Sequence, residues 1–237
     1  MKKLLFVTTL ILMIFNHAFA QKPVELKDAI NILEVLSGVK EDKSSDPYKL
    51  IFSDEFNGNS LDTSVWNYET GYGPYNDGWG NDENQLYTNS EDNVKVENGN
   101  LIISARSSGT FGKRDGSITS GRINTMGKQS FRYGKIQARM KIPYKLGLWA
   151  AFWMLGSNYP TDGWPKCGEI DIMESFARYL SANQNQGTLH WWNENVGIKT
   201  DSVAYNEFYY PYPNVCVFDS PLNEGFHIYE ISVIIQS

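Results

Sequence analysis

Gly168-Glu169-Ile170-Asp171-Ile172-Met173-Glu174 sets three acids among large apolar residues. Side chains of a strand repeat every second residue, so Glu169 and Asp171 share a face while Ile170 and Ile172 pack on the other. Strict alternation then puts Met173, not Glu174, on the acidic face. Glu174 joins it only if the strand absorbs one extra residue as a β-bulge. With the bulge, three carboxylates line one side in a row.

Paired carboxylates at about 5–5.5 Å are the working parts of a retaining glycosidase. At ~3.3 Å per residue, four effective steps leave the Cα atoms of Glu169 and Glu174 roughly 13 Å apart, a gap that two long side chains can largely close. Asp171 between them is placed to push the two Glu pKa values apart. The same pattern also fits an exposed strand carrying solvated acids, and taken alone it does not choose between the two.

The surrounding texture is that of a β protein. From Tyr48 onward, short alternating stretches are punctuated by Gly, Asn and Asp: Asn93 to Val96, Leu101 to Ala105, Gly121 to Thr125, Gly134 to Ile142 and Leu148 to Leu155. Regularly spaced short strands without a long helical period predict an all-β sandwich or jelly roll. Upstream, residues 24–39 carry apolar positions at helical spacing and predict one amphipathic helix, followed by a polar linker over residues 40–47.

The N-terminus opens with Lys2 and Lys3, an apolar run from Leu4 to Phe15, and Ala18-Phe19-Ala20. This is the pattern of a secretory signal peptide removed after about Ala20. The expected organisation is a signal peptide over 1–20, a helical segment and linker over 21–48, and a β domain over 49–237. The expected location is secreted or periplasmic, with no membrane association after removal of the signal.

The formal charge is -6, and residues 1–20 contain two Lys and no acid, so their loss brings it to -8. An acidic chain disfavours nucleic acid and anionic membranes as partners and suits a neutral polymer. The 7 Trp, 14 Tyr and 12 Phe include several beside Gly, Asn and Asp, as in Gly78-Trp79-Gly80-Asn81 and Asp162-Gly163-Trp164-Pro165. Aromatic faces among polar neighbours fit the C–H faces and hydroxyls of a sugar, although each ring fits a core position equally well. Cys167 and Cys216 are the two cysteines. Export permits a disulfide, while Cys167 also reads as a small buried residue.

Several stretches together resemble glycoside hydrolase family 16, in particular its bacterial laminarinase-like (endo-1,3-β-glucanase) members. They are Phe52 to Gly58, Gly78 to Glu83, Thr119 to Ile123, Tyr133 to Arg139, Gly147 to Gly156, Gly163 to Pro165, the acidic strand and Gly187 to His190. The resemblance implies a two-sheet antiparallel β-sandwich, a concanavalin A-like jelly roll, with a concave substrate cleft. It implies Glu169 as nucleophile, Glu174 as general acid/base and Asp171 as the assisting acid. Trp149, Trp153 and Trp164 resemble aromatic walls of the cleft, Asn81 and Arg122 sugar-hydroxyl contacts, and His190 a polar group near the reacting sugar. Glu55 and the backbone of Gly99 resemble part of a structural calcium site; an ordinary surface acid is the other reading of Glu55. The chemistry itself requires no cofactor.

The implied activity is endo-hydrolysis of β-1,3-glucan with retention, by a monomer. Mixed-linkage glucan, agar or carrageenan are alternative polymers, and an inactive glycan-binding fragment is the alternative of another class. The family's Trp-Pro-Ala run appears here as Trp149-Ala150-Ala151. After Gly225 to Tyr229 the sequence drifts from the family pattern. The final strands are expected to be missing, with Ile231, Val233 and Ile235 on a last strand lacking a partner beyond it.

Overall fold

The computed structural model describes residues 48–109, 112–192 and 215–234, and the backbone of 205–207. The signal peptide, the helix over 24–39, the linker and Ile235 lie outside the described residues. The strands are β1 (Asn67–Glu69), β2 (Leu86–Tyr87), β3 (Val94–Glu97), β4 (Asn100–Ile103), β5 (Arg106–Ser107), β6 (Ile118–Ser120) and β7 (Arg122–Asn124). They continue with β8 (Gly134–Met140), β9 (Trp149–Leu155), β10 (Glu169–Phe176), β11 (Gln184–Trp192), β12 (Tyr205–Glu207), β13 (Val215–Val217) and β14 (His227–Val233). Among the described residues, a short α-helical turn, α1 (Tyr159–Asp162), and an irregular helical turn over Gly78–Asp82 interrupt them. No helix among the described residues is long and apolar enough to cross a membrane. The expected all-β class is therefore what the chain adopts.

The chain divides into two compact units. The first holds residues 137–154 and 170–231. Its main sheet runs β12-β11-β10-β9, and β13 also pairs with β11. Antiparallel pairing sets His190, Trp191 and Trp192 of β11 against Glu207, Asn206 and Tyr205 of β12. The other end of β11 pairs Gln184 to Gln186 with Val217 to Val215. Strand β10 lies between β9 and β11 and is buried continuously from Asp171 to Ser175. Such burial on both faces explains why apolar residues sit even at positions between the acids. Met173 and Leu222 are the most deeply buried side chains here, with Ile142, Ile172, Leu180 and Tyr229 also buried. Strand β14 pairs with β8.

The second unit holds residues 50–136 and 155–169. Its core is Leu61, Val94 and Val96, packed by Phe56, Trp66, Tyr68, Leu101 and Ile123. Alternation along β3 turns Val94 and Val96 inward and leaves Glu97 exposed. The β3–β4 hairpin closes through Asn98-Gly99, with Glu97 opposite Asn100. Both turn residues have positive φ, 53° and 70°, the geometry that makes Asn-Gly a strong hairpin signal. Asp54 anchors the start of this unit. Its carboxylate accepts from Phe56 N at 2.8 Å and from Trp66 Nε1 at 2.8 Å.

Candidate active site

In the first unit, β9, β10 and β11 bring Trp149, Asp171, Glu174, Thr188 and His190 together. His190 Nε2 lies 3.1 Å from Asp171 Oδ2. Thr188 Oγ1 lies 3.5 Å from Glu174 Oε2. Trp149 Nε1 donates to Glu174 Oε1 at 2.9 Å. Thr188 and His190, two apart on β11, share a face. They meet acids three apart on β10, so Asp171 and Glu174 share a face as well. A regular strand does not bring residues three apart to one face, which is why an extra residue is expected here from the sequence.

Both acids are buried, Asp171 at 5% exposure and Glu174 at 7%. Burial raises the Glu174 carboxyl most, and the Asp171 carboxylate raises it further. The Trp149 N–H, His190 and Thr188 act in the opposite sense. The result is a carboxyl pushed from 4.5 up to about 7. A carboxyl that holds its proton near neutral pH and then gives it up is what a general acid requires.

Glu169 opens β10, two residues before Asp171 and on its face by alternation. Trp149 is 44% exposed and stacks at 4.7 Å between centroids on Phe176. Trp153 lies half-buried further along β9. Cys167 is half-buried rather than buried, its thiol raised chiefly by desolvation, and neither it nor Cys216 is in a disulfide.

The second unit holds the remaining sequence-derived positions. Arg122 on β7 is paired across the sheet with Glu69 on β1, and their side chains form an ion pair. The guanidinium also lies 4.6 Å over the Trp79 ring. Tyr87 stands beside Trp79 at 5.8 Å and donates to Glu83 Oε2 at 2.7 Å. Asn81 is exposed, its amide donating to Glu83 Oε1 at 3.2 Å. Residues 77–83 form an irregular turn clasped by Arg114, which donates to the Glu83 carbonyl at 3.0 Å and the Asp77 carbonyl at 3.1 Å and pairs with Asp82. Trp164 is 45% exposed, after Gly163 at the end of α1.

Glu55 is exposed. Gly99 sits in its turn with Asn57 Oδ1 3.8 Å from where a Cβ would stand. The segment carrying Glu55 thus runs beside Gly99. A carboxylate, an amide oxygen and a backbone carbonyl are the hard oxygen donors that calcium takes.

Sequence reasoning passed over Thr188 and Glu69. Thr188 was within reach, because it lies two residues before His190 on one strand and so shares its face. Glu69 gave no local signal; its role follows from pairing with a strand more than fifty residues away.

A family model described as "XgeA-like, catalytic GH16 domain" matches residues 66–210. The chain belongs to glycoside hydrolase family 16. Among curated family 16 relatives, it is 40% identical over 185 residues to glucan endo-1,3-beta-glucosidase A1 of Niallia circulans, a match covering 74% of this chain and 27% of that protein. It is 41% identical over 145 residues to a glucan endo-1,3-beta-glucosidase of Cryptopygus antarcticus, covering 60% of this chain and 50% of the relative. The chain thus spans about a quarter to a half of these relatives. The crystal structure of laminarinase from Flavobacterium sp. UMI-01 superposes with a TM-score of 0.63 at 41% identity, over 78% of this chain and 71% of that one. The likeness places this family 16 chain in the β-sandwich jelly-roll class expected from its sequence.

Proposed function

We propose that this chain hydrolyses internal β-1,3 bonds of a laminarin-type glucan by a retaining double displacement. The observation that carries the reading is Glu174, a buried carboxyl raised to about 7 on the face it shares with Asp171. The names of the family 16 relatives supply the polymer.

In the first step the Glu169 carboxylate attacks the anomeric carbon. The glycosidic C–O bond breaks, and Glu174 gives its proton to the departing oxygen. A glycosyl ester on Glu169 results. In the second step the Glu174 carboxylate takes a proton from water, whose oxygen attacks the same carbon and releases Glu169. Asp171 keeps the Glu174 proton affinity high by its charge, and His190 partners Asp171. Trp149, Trp153 and Trp164 are read as sugar-stacking walls, and Asn81 as a hydroxyl contact. Arg122, fixed by Glu69, is read as a second one.

Calcium held by Glu55 and the Gly99 carbonyl would be structural, tying the start of the domain to the β3–β4 turn. Residues 1–20 are read as an export signal, which puts the enzyme where its polymer is.

The test is reducing-end release from laminarin, mixed-linkage glucan, agar and carrageenan. The expected result is turnover of laminarin that vanishes in Glu169→Gln while binding persists. Turnover of a galactan instead would reassign the polymer. Binding without turnover by the unmodified chain would make it a glycan-binding module.

A further inference from the structure

The two carboxyl oxygens of Glu174 sit in unlike settings. Oε1 accepts the Trp149 indole N–H at 2.9 Å. Oε2 accepts from the Thr188 hydroxyl only at 3.5 Å, the outer limit of a hydrogen bond, and that hydroxyl in turn accepts from Gln186 Nε2 at 3.3 Å. An indole N–H only donates. A protonated carboxyl has one oxygen that carries hydrogen and one that accepts. The oxygen against the indole has to be the accepting one, since two hydrogens cannot face each other across 2.9 Å. Phe176 packs against the indole ring at 4.7 Å between centroids, tilted by 35°.

We propose that Trp149 is a positioning residue that confines the Glu174 proton to Oε2 and so makes Oε2 the oxygen that protonates the leaving group. This rests on Glu174 being the acid/base. Trp149 would then act on the proton as well as on the sugar face. The charged groups that face Glu174 are Asp171 on its own strand and His190 on β11, and they act on it by charge. Trp149 acts by direction. In the first half-reaction Oε2–H passes to the glycosidic oxygen as the C–O bond breaks. In the second, Oε2 recovers a proton from the attacking water, and Oε1 stays on the indole throughout.

Trp149→Phe keeps a ring on Phe176 and removes the donor. Two substrates separate positioning from stacking: laminarin, whose alkoxide leaving group needs a proton, and the dinitrophenyl β-glycoside of a 1,3-linked glucose disaccharide, whose leaving group does not. The expected result is a fall in kcat on laminarin about tenfold or more larger than the fall on the aryl glycoside, and a basic limb of kcat/KM displaced to higher pH. The displacement has that sign because the N–H favours the carboxylate.

Equal losses on both substrates confined to KM, with a superimposable pH profile, would overturn the inference and leave Trp149 a sugar wall. If the unmodified protein turns over neither substrate, the proposed function fails first. A second readout needs no variant of Trp149. The indole N–H proton resonance should titrate with a midpoint near that of Glu174 and stop titrating in Glu174→Gln. An indole resonance that ignores Glu174 would sink the proposal.

Discussion

Replacing Glu174 with Gln should make the protein more stable at alkaline pH while abolishing turnover. The carboxyl is 7% exposed and raised from 4.5 to about 7 by burial and by Asp171. Folding therefore favours its protonated form. A group raised on folding contributes stability that is complete below the unfolded pKa and lost as pH climbs through the folded one. The window is pH 4.5 to about 7. At ~1.4 kcal/mol per pH unit, the unmodified chain loses roughly 3 kcal/mol across it. Gln is neutral, of similar shape, and can accept the Trp149 N–H through its carbonyl oxygen. It carries no such loss.

At ~2–4 °C per kcal/mol for a chain of this size, the melting temperature of Glu174→Gln relative to the unmodified protein should rise by roughly 6–12 °C between pH 4 and pH 8. The constant cost of the substitution cancels in that difference. Thermal unfolding at the two pH values, at one ionic strength, makes the check. An offset that is the same at pH 4 and pH 8 would refute the reasoning, because Glu174 would then have no raised pKa to relieve. Stability withheld by a buried acid kept for chemistry is a common cost of an active site.

Arg114→Ala should lower stability by about 1–2 kcal/mol, chiefly through the carbonyls of Asp77 and Glu83 that it leaves without their donor, since the pair with exposed Asp82 contributes little. Denaturant unfolding measures this, and Arg114→Lys should restore less than half, because one ammonium cannot reach the same spread of acceptors. A chelator should lower the melting temperature and added calcium should restore it, with the effect absent in Glu55→Ala; a melt indifferent to both would remove calcium from the account.

The sequence made the acidic strand legible because its information is local. Three acids and their intervening apolar residues announce both the faces and the break in alternation, and Asp171 and Glu174 do share a face. The strand runs on to Phe176, beyond the last acid, because burial between β9 and β11 continues through Ser175. The Asn98-Gly99 hairpin, which sequence reasoning passed over, rests on information just as local, needing only two residues that tolerate positive φ. What stayed hidden depends on strands meeting across the chain. Glu69 neutralises Arg122 only because β1 lies against β7. Arg114 clasps residues 77–83 from more than thirty residues away. Strand β11 entered the sequence reading only through its Gly187 to His190 stretch; Gln184, Asn185 and Gln186 carry no apolar alternation and are held in the sheet by pairing with β13.

The most direct measurement is proton NMR of the anomers released from a 1,3-linked glucan oligosaccharide in the first minutes of turnover. Paired carboxylates acting by double displacement should deliver the β-anomer first, with the α-anomer growing in only by mutarotation. First appearance of the α-anomer would mean a single displacement by water, and would contradict Glu169 as the nucleophile.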